Sequence, residues 1–205
     1  AARNNSRLLF RMTSHISKLV GIPSAIILDF DGVFTSNLVV TTDTGQEAVI
    51  SSKYDSLMIK KFKNDTSNSI PILVVSSEKN SVVHHRCLKL NIEYVQSSTC
   101  KISDAKRFLT PLNICLSECM FICNDFNDIP LVKQVGYSVC VNDAPVQMKN
   151  ICQFHTHRNG GQGAIRETLE IVLENIKPFA AMNELRGISS KSPHSFNCIN
   201  VIKPE

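Results

Sequence analysis

Residues 25–37 read AIILDFDGVFTSN, an apolar run that ends in two aspartates one residue apart and passes directly into a turn at Gly32. The run from Ala25 to Leu28 is continuous rather than alternating, which predicts a strand covered on both faces. Asp29 and Asp31 then project to the same side of an extended chain. They are either a chemical pair or a polar cap on a buried strand, and the neighbouring segments have to decide between the two.

Four further stretches repeat the pattern of the first: IPILVVSS (70–77), IEYVQ (92–96), CMFICND (119–125) and YSVCV (137–141). Between these runs, DSLMIKKFK, NSVVHHRCLKL, ISDAKRFL and DIPLVKQV carry helical spacing. A last helix places Ile165, Leu169, Val172 and Ile176 on one face, with Pro178 as its expected stop. Strands alternating with helices predict an α/β fold with a doubly wound, mostly parallel sheet. One segment departs from the alternation. NLVVTTDTGQEAVISS (37–52) has β-branched runs on either side of Asp43-Thr44-Gly45 and reads as a small β-hairpin. The expected division is an N-terminal extension or linker over 1–22, one domain over 23–178 and a C-terminal tail over 179–205, with no internal repeat.

Composition narrows the function classes. A net charge of +4 with scattered basic residues gives no nucleic-acid footprint, so no nucleic-acid partner is expected. No stretch reaches the roughly 18 apolar residues a membrane span needs, so no membrane partner is expected either. The eight cysteines show no CxxC pair, and Cys123 and Cys140 sit inside apolar runs. Free thiols and a cytoplasmic location are expected.

In an open parallel sheet, ligands bind beyond the C-terminal ends of the strands. Those ends carry Asp29 and Asp31, then Ser76 and Ser77, then Asn124 and Asp125 with Asp128 three residues on, while Lys101 opens the helix after the third strand. Carboxylates gathered without histidine or thiolate suit a hard ion, Mg²⁺. A lysine and a hydroxyl beside such an ion suit a phosphoryl group. Lys106 is the rival to Lys101, and spacing to the fourth strand favours Lys101.

Taken together, Asp29-Phe30-Asp31-Gly32-Val33-Phe34-Thr35, Ser76, Lys101 and Asn124-Asp125 with Asp128 resemble the four motifs of the haloacid dehalogenase (HAD) superfamily, over about residues 24–176. Gly160-Gly161-Gln162-Gly163-Ala164-Ile165-Arg166-Glu167 is similar to the signature of one capless branch. That branch holds 3-deoxy-octulosonate 8-phosphate phosphatases, nonulosonate 9-phosphate phosphatases and the C-terminal domains of CMP-sialate (acylneuraminate) synthetases. The resemblance implies a Rossmann-like HAD fold with a hairpin flap and no cap domain, assembled as a homotetramer. It also implies a Mg²⁺-dependent sugar phosphatase in which Asp29 is the nucleophile, Asp31 the general acid and base, and Ser76 and Lys101 the phosphoryl-binding pair. Asp29, the Phe30 carbonyl, Asp31, Asn124 and Asp125 would hold the metal. Gly32, Ser77, Glu78, Asp128, Gly160, Gly161, Gly163 and Arg166 would face the substrate, although Arg166 has the rival reading of a simple ion-pair partner.

Several positions depart from the branch. Cys123-Asn124-Asp125 replaces Gly-Asp-Asp or Gly-Asn-Asp, Ser36 stands where an aspartate is common, and Tyr54-Asp55-Ser56 replaces Arg-Asp-Gly. Ser76-Ser77-Glu78-Lys79-Asn80 replaces the Thr-Gly-Arg of octulosonate phosphatases, which favours a nine-carbon nonulosonate 9-phosphate over the eight-carbon sugar. The competing reading is a weakly active or inactive tetramerisation domain of a CMP-sialate synthetase. His84, His85, His155 and His157 read as surface residues without a role.

Overall fold

The computed structural model describes residues 14–185. In chain order the elements are β1 (Ser14–His15), β2 (Ala25–Leu28), β3 (Thr35–Thr41), β4 (Glu47–Ser51), α1 (Lys53–Asp65), β5 (Ile72–Val75), α2 (Val82–Leu90) and β6 (Glu93–Val95). They continue with α3 (Lys101–Leu109), β7 (Cys119–Cys123), α4 (Ile129–Val132), β8 (Tyr137–Cys140), α5 (Val146–Ile151), β9 (Phe154–His155) and α6 (Ala164–Leu185). Seven strands form one sheet in the order β1-β9-β8-β7-β2-β5-β6, and every pairing in it is parallel.

Burial explains why the sequence declared these strands. All residues of β2, β5 and β7 are buried, as a sheet covered by helices on both faces requires. Strand β2 lies between β5 and β7, so Asp29 leaves the sheet at its centre. The hairpin expected at 37–52 forms as β3 and β4, antiparallel and separate from the main sheet. Its turn closes with the Gly45 N–H on the Thr42 carbonyl, and Gly45 takes φ +78°, a conformation open to glycine. Among the described residues there is no cap domain, and no helix is long and apolar enough to cross a membrane.

Three boundaries differ from expectation. Residues 14–22, read as an extension, belong to the domain. β1 pairs with β9, Ile16 and Leu19 are buried in the core, and the Asn175 side chain donates to the Leu19 carbonyl at 3.1 Å. Pro178 does not stop the last helix, which continues to Leu185. A proline removes one N–H and crowds the carbonyl four residues back, and the bonds on either side of that defect carry the helix on. The C-terminal tail read over 179–205 therefore begins within α6, and its remainder lies outside the described residues. Cys87, Cys100, Cys119, Cys123, Cys140 and Cys152 are free thiols, whereas Cys115 is disulfide-bonded, contrary to the expectation of free thiols throughout.

One contact holds the helical layer in register. Ser52 caps α1 by accepting the Tyr54 and Asp55 N–H groups. Asp55, fully buried in the first turn of α1, then reaches the start of α6. Its two oxygens accept the Gly163 N–H at 3.1 Å and the Arg166 N–H at 2.8 Å. A carboxylate borrowed from one helix thus satisfies the free N–H groups of another. Asp55→Ala leaves those buried donors unpaired and is expected to cost about 1–3 kcal/mol. Urea denaturation monitored by circular dichroism checks this, and an unchanged midpoint would show the link to be dispensable.

Candidate active site

The centre of the site is the turn after β2. The Asp29 N–H continues the ladder onto the Ile122 carbonyl at 3.0 Å, and the chain then folds back on itself. The Phe30 carbonyl accepts the N–H of Phe34 at 2.8 Å and of Thr35 at 3.1 Å. That geometry overturns one assignment: Phe30 was expected to offer its carbonyl to a metal, but both acceptor directions are occupied within the turn. Gly32 sits at φ +74° because the Asn124 amide packs where a Cβ would stand, 1.9 Å from it. Gly32 thus makes room for the β7 loop rather than presenting a group to a ligand.

Thr35, which sequence reasoning quoted but gave no role, orders the turn. Its buried hydroxyl donates to Asp31 Oδ1 at 3.4 Å and accepts the N–H groups of Gly32 and Asn37, each at 3.2 Å. The second aspartate is therefore oriented by a hydroxyl four residues on. Burial, and next the Glu78 carboxylate, push the Asp31 carboxyl above the usual range. A raised carboxyl holds its proton further toward neutral pH, the condition a general acid needs.

Lys101 reaches the site from the first turn of α3. Its ammonium donates to Asp29 Oδ1 and to Asp128 Oδ1, each at 2.7 Å. All three side chains are buried, so the contacts are desolvated. Burial would lower the Lys101 pKa, but Asp29 and Asp128 outweigh it and keep the ammonium charged. Two carboxylates share that one cation. Burial first, then Asp128, push Asp29 up to about 7, against the opposing pull of Lys101. Asp29 Oδ1 accepts from Lys101 and from the Phe30 N–H, while Oδ2 receives no hydrogen bond among the described residues. One oxygen is anchored and the other is free.

Asp128 does not face a substrate, contrary to expectation. It is fully buried, with Oδ1 on Lys101 and Oδ2 accepting the Asn124 N–H at 3.2 Å. It positions the lysine and the β7 loop together. Asp29, Asp31 and Ser76 bound an open cleft of about 460 Å³, with Ser77, Glu78, Asn124 and Asp125 around them. Asn37 and Asn127, which were not anticipated, complete the lining. The Ser76 hydroxyl accepts the Glu78 N–H at 3.1 Å, fixing the loop after β5. The Asn80 amide donates to Glu47 at 3.1 Å, tying that loop to the hairpin.

The glycine-rich segment serves the turn from behind. Gly161 donates its N–H to the Val33 carbonyl at 2.9 Å and takes φ +63°; a Cβ there would lie 2.4 Å from the Thr35 backbone. Gly160 packs beside it with its N–H on Asp143 at 2.9 Å, and Gly163 donates to Asp55. None of the three lines the cleft; Gly160 and Gly161 allow close backbone approach, and Gly163 takes φ +110°. Arg166 is exposed, its Nε on Glu170 at 2.8 Å and its guanidinium 5.9 Å from the centre of the Tyr54 ring, away from the cleft of its own chain.

The donors around the cleft are oxygens: Asp29, Asp31, Asp125 and the Asn124 amide, with no imidazole or thiolate among the lining residues. Such a set fits a hard cation of the Mg²⁺ kind. Asn124 contributes a neutral group and spends its amide against Gly32, so Asp125 is the anionic donor of that loop.

An all-parallel α/β sheet with acids and a lysine converging beyond its central strands defines an open-sheet enzyme scaffold. A family model for haloacid dehalogenase-like hydrolases matches residues 29–168, and the chain belongs to that family. It is 30% identical over 149 residues to the 3-deoxy-D-manno-octulosonate 8-phosphate phosphatase KdsC of Salmonella typhi, covering 72% of this chain and 78% of that one. The KdsC of Escherichia coli K12 is 28% identical over the same shares. A Streptomyces avermitilis protein described as a HAD-family hydrolase superposes with a TM-score of 0.71 at 29% identity, over 76% of this chain and 89% of that one. A Moraxella catarrhalis octulosonate 8-phosphate phosphatase, solved with magnesium, phosphate and KDO, shares the fold with a TM-score of 0.71 at 23% identity, over 83% and 95% of the two chains.

Lys101→Met leaves Asp29 and Asp128 buried without their cation. Removing one partner of a buried ion pair costs about 3–5 kcal/mol, and chemical denaturation of the variant at neutral pH is expected to show a loss of that order. A smaller loss at pH 5 than at pH 8 is expected as well. Asp29, already pushed up to about 7 by burial and by Asp128, then takes up a proton in place of the lost ammonium.

Proposed function

We infer that this chain is a Mg²⁺-dependent phosphomonoester hydrolase acting on a phosphorylated eight- or nine-carbon α-keto acid sugar. The observation that carries the reading is the Lys101 bridge between Asp29 and Asp128. It anchors one oxygen of a central aspartate, leaves the other free, and keeps a cation within reach of a phosphoryl group. The similarity to enzymes named as octulosonate 8-phosphate phosphatases supports the substrate class.

In this reading Asp29 Oδ2 attacks phosphorus and the bond to the sugar oxygen breaks, leaving an aspartyl-phosphate. Asp31 gives its proton to the departing oxygen, then takes one from the water that attacks the phosphorus and releases Asp29. Lys101 and Ser76 offset the charge on the phosphoryl oxygens. Asp29 and Asp125 would hold Mg²⁺, leaving the Asp31 carboxyl to carry its proton, and the ion would supply the positive charge that lets an anionic nucleophile meet an anionic phosphate.

Within the substrate class, Glu78 and Asn80 stand beside the cleft where an arginine would attract a second anion, and they favour hydroxyl-rich contact with a nonulosonate 9-phosphate. The exposed apolar side chains of the hairpin, Leu38, Val40 and Ile50, support assembly into a homotetramer. A second reading rests on Asn124. A neutral side chain beside the metal donors suits a weakly active oligomerisation module of a CMP-sialate synthetase.

Phosphate release from nonulosonate 9-phosphate and octulosonate 8-phosphate, with Mg²⁺ or with chelator, tests the first reading against the second. Mg²⁺-dependent turnover that is abolished in Asp29→Asn is expected, and Asp31→Asn is expected to lower kcat about 10²- to 10⁴-fold. Turnover that survives Asp29→Asn sinks the mechanism, and absence of turnover on both sugars favours the module. The pH profile adds a signed test. Activity is lost as pH rises through the pKa of Asp31, because the acid must carry its proton. Glu78→Gln removes a negative charge that raises that pKa, so the alkaline limb of the kcat profile is expected to move to lower pH.

A further inference from the structure

We propose that His15, His157 and Glu167 form a second metal site, separate from the catalytic cleft, for a divalent ion of the zinc class. One ligand atom from each of the three lies within 4.8 Å of the others. His15 comes from edge strand β1, His157 from just beyond β9, and Glu167 from the first turn of α6. None of the three lines the cleft.

The arrangement is more specific than a chance grouping of polar side chains. The His15 and His157 rings stack beside the same carboxylate, with centroids 3.5 Å apart and planes 16° from parallel; an ion bound by both must lie in the plane of each ring, so the exposed His157 ring turns out of the stack on binding. His15 Nε2 lies 2.8 Å and His157 Nδ1 lies 3.9 Å from Glu167 Oε1. Donor atoms about 2.1 Å from a tetrahedral ion stand about 3.4 Å apart. The two observed separations bracket that value, and rotation of the exposed His157 side chain would aim its Nδ1 at the ion. Glu167 is already oriented, because its oxygens accept the His157 and Arg158 N–H groups at 2.9 Å.

The donor set names the ion. Two imidazoles and one carboxylate suit zinc and similar borderline metals, whereas the oxygen-only cleft suits Mg²⁺. Protons balance without an outside acceptor. In the metal-free chain His15 Nε2–H donates to Glu167, and Nδ1 accepts the Ser17 N–H at 3.2 Å. On binding, Nε2 takes the metal and the ring proton resides on Nδ1, where the Ser17 hydroxyl is 2.7 Å away as acceptor. His157 is 71% exposed, so the ion has a route in from solvent and a water can fill the fourth position. Beside it, His155 carries a buried Nδ1 with no hydrogen-bond partner among the described residues.

The test uses the full chain saturated with Mg²⁺, in a Cys100→Ser background that removes the exposed thiol. Zn²⁺ is titrated by calorimetry and Co²⁺ by visible absorption. One site per chain is expected, with cobalt d–d bands of a nitrogen–oxygen set and no sulfur charge-transfer band. His157→Ala, an exposed position, is expected to weaken Zn²⁺ affinity at least about tenfold while leaving Mg²⁺-dependent phosphate release unchanged. His15→Ala is expected to weaken it similarly, and Asp125→Asn in the cleft to leave it unaltered. The proposal is overturned if no Zn²⁺ binds under Mg²⁺ saturation, if His157→Ala binds as well as the parent, or if Asp125→Asn abolishes the site.

Discussion

The ammonium of Lys101, held at 2.7 Å from both Asp29 and Asp128, is the constraint on which the site depends. A buried carboxylate is costly unless paired, and one cation cannot fully compensate two of them. The local charge is therefore short by one positive unit, and burial first, with the Asp128 carboxylate next, pushes Asp29 up to about 7. A bound divalent ion removes that shortage. The fold thus holds its central aspartate in a state that a bound divalent cation relieves. Because Asp128 also accepts the Asn124 N–H, the same lysine fixes the β7 loop that carries the third acid.

A second layer of constraint is made mainly of backbone, joined by two side chains. The turn after β2 closes on the Phe30 carbonyl, Thr35 steers Asp31 from within it, and the 160–163 segment packs against its rear. No side chain of that rear segment meets the cleft. Its contribution is stiffness. Asp55 then carries the constraint onward by joining α1 to the start of α6.

Much of this was legible in the sequence, for a physical reason. Strands covered on both faces spell themselves as continuous apolar runs, and parallel sheets gather chemistry at one edge, so Asp29, Asp31, Ser76, Lys101 and Asp125 could be read as neighbours. The parts that were not legible depend on backbone directions. Which carbonyl a turn consumes is not written in the identity of Phe30. The need for glycine at 160 and 161 was visible, but not that the approaching group is the chain's own turn rather than a ligand. β1 and β9 each span only a pair of residues and leave no apolar run to detect. His155 and His157 read as surface residues, and His15 drew no reading at all because its partner Glu167 stands 152 positions away in the chain.

That separation bears on how the molecule comes together. β1 can pair only with β9, near the far end of the domain, and Asn175 of the last helix reaches back to the Leu19 carbonyl. Contacts of such long sequence separation carry the largest loop-closure entropy and form late. The first strand of this domain described in chain order is thus the last for which a partner exists, and the edge of the sheet stays open until nearly the whole domain has emerged.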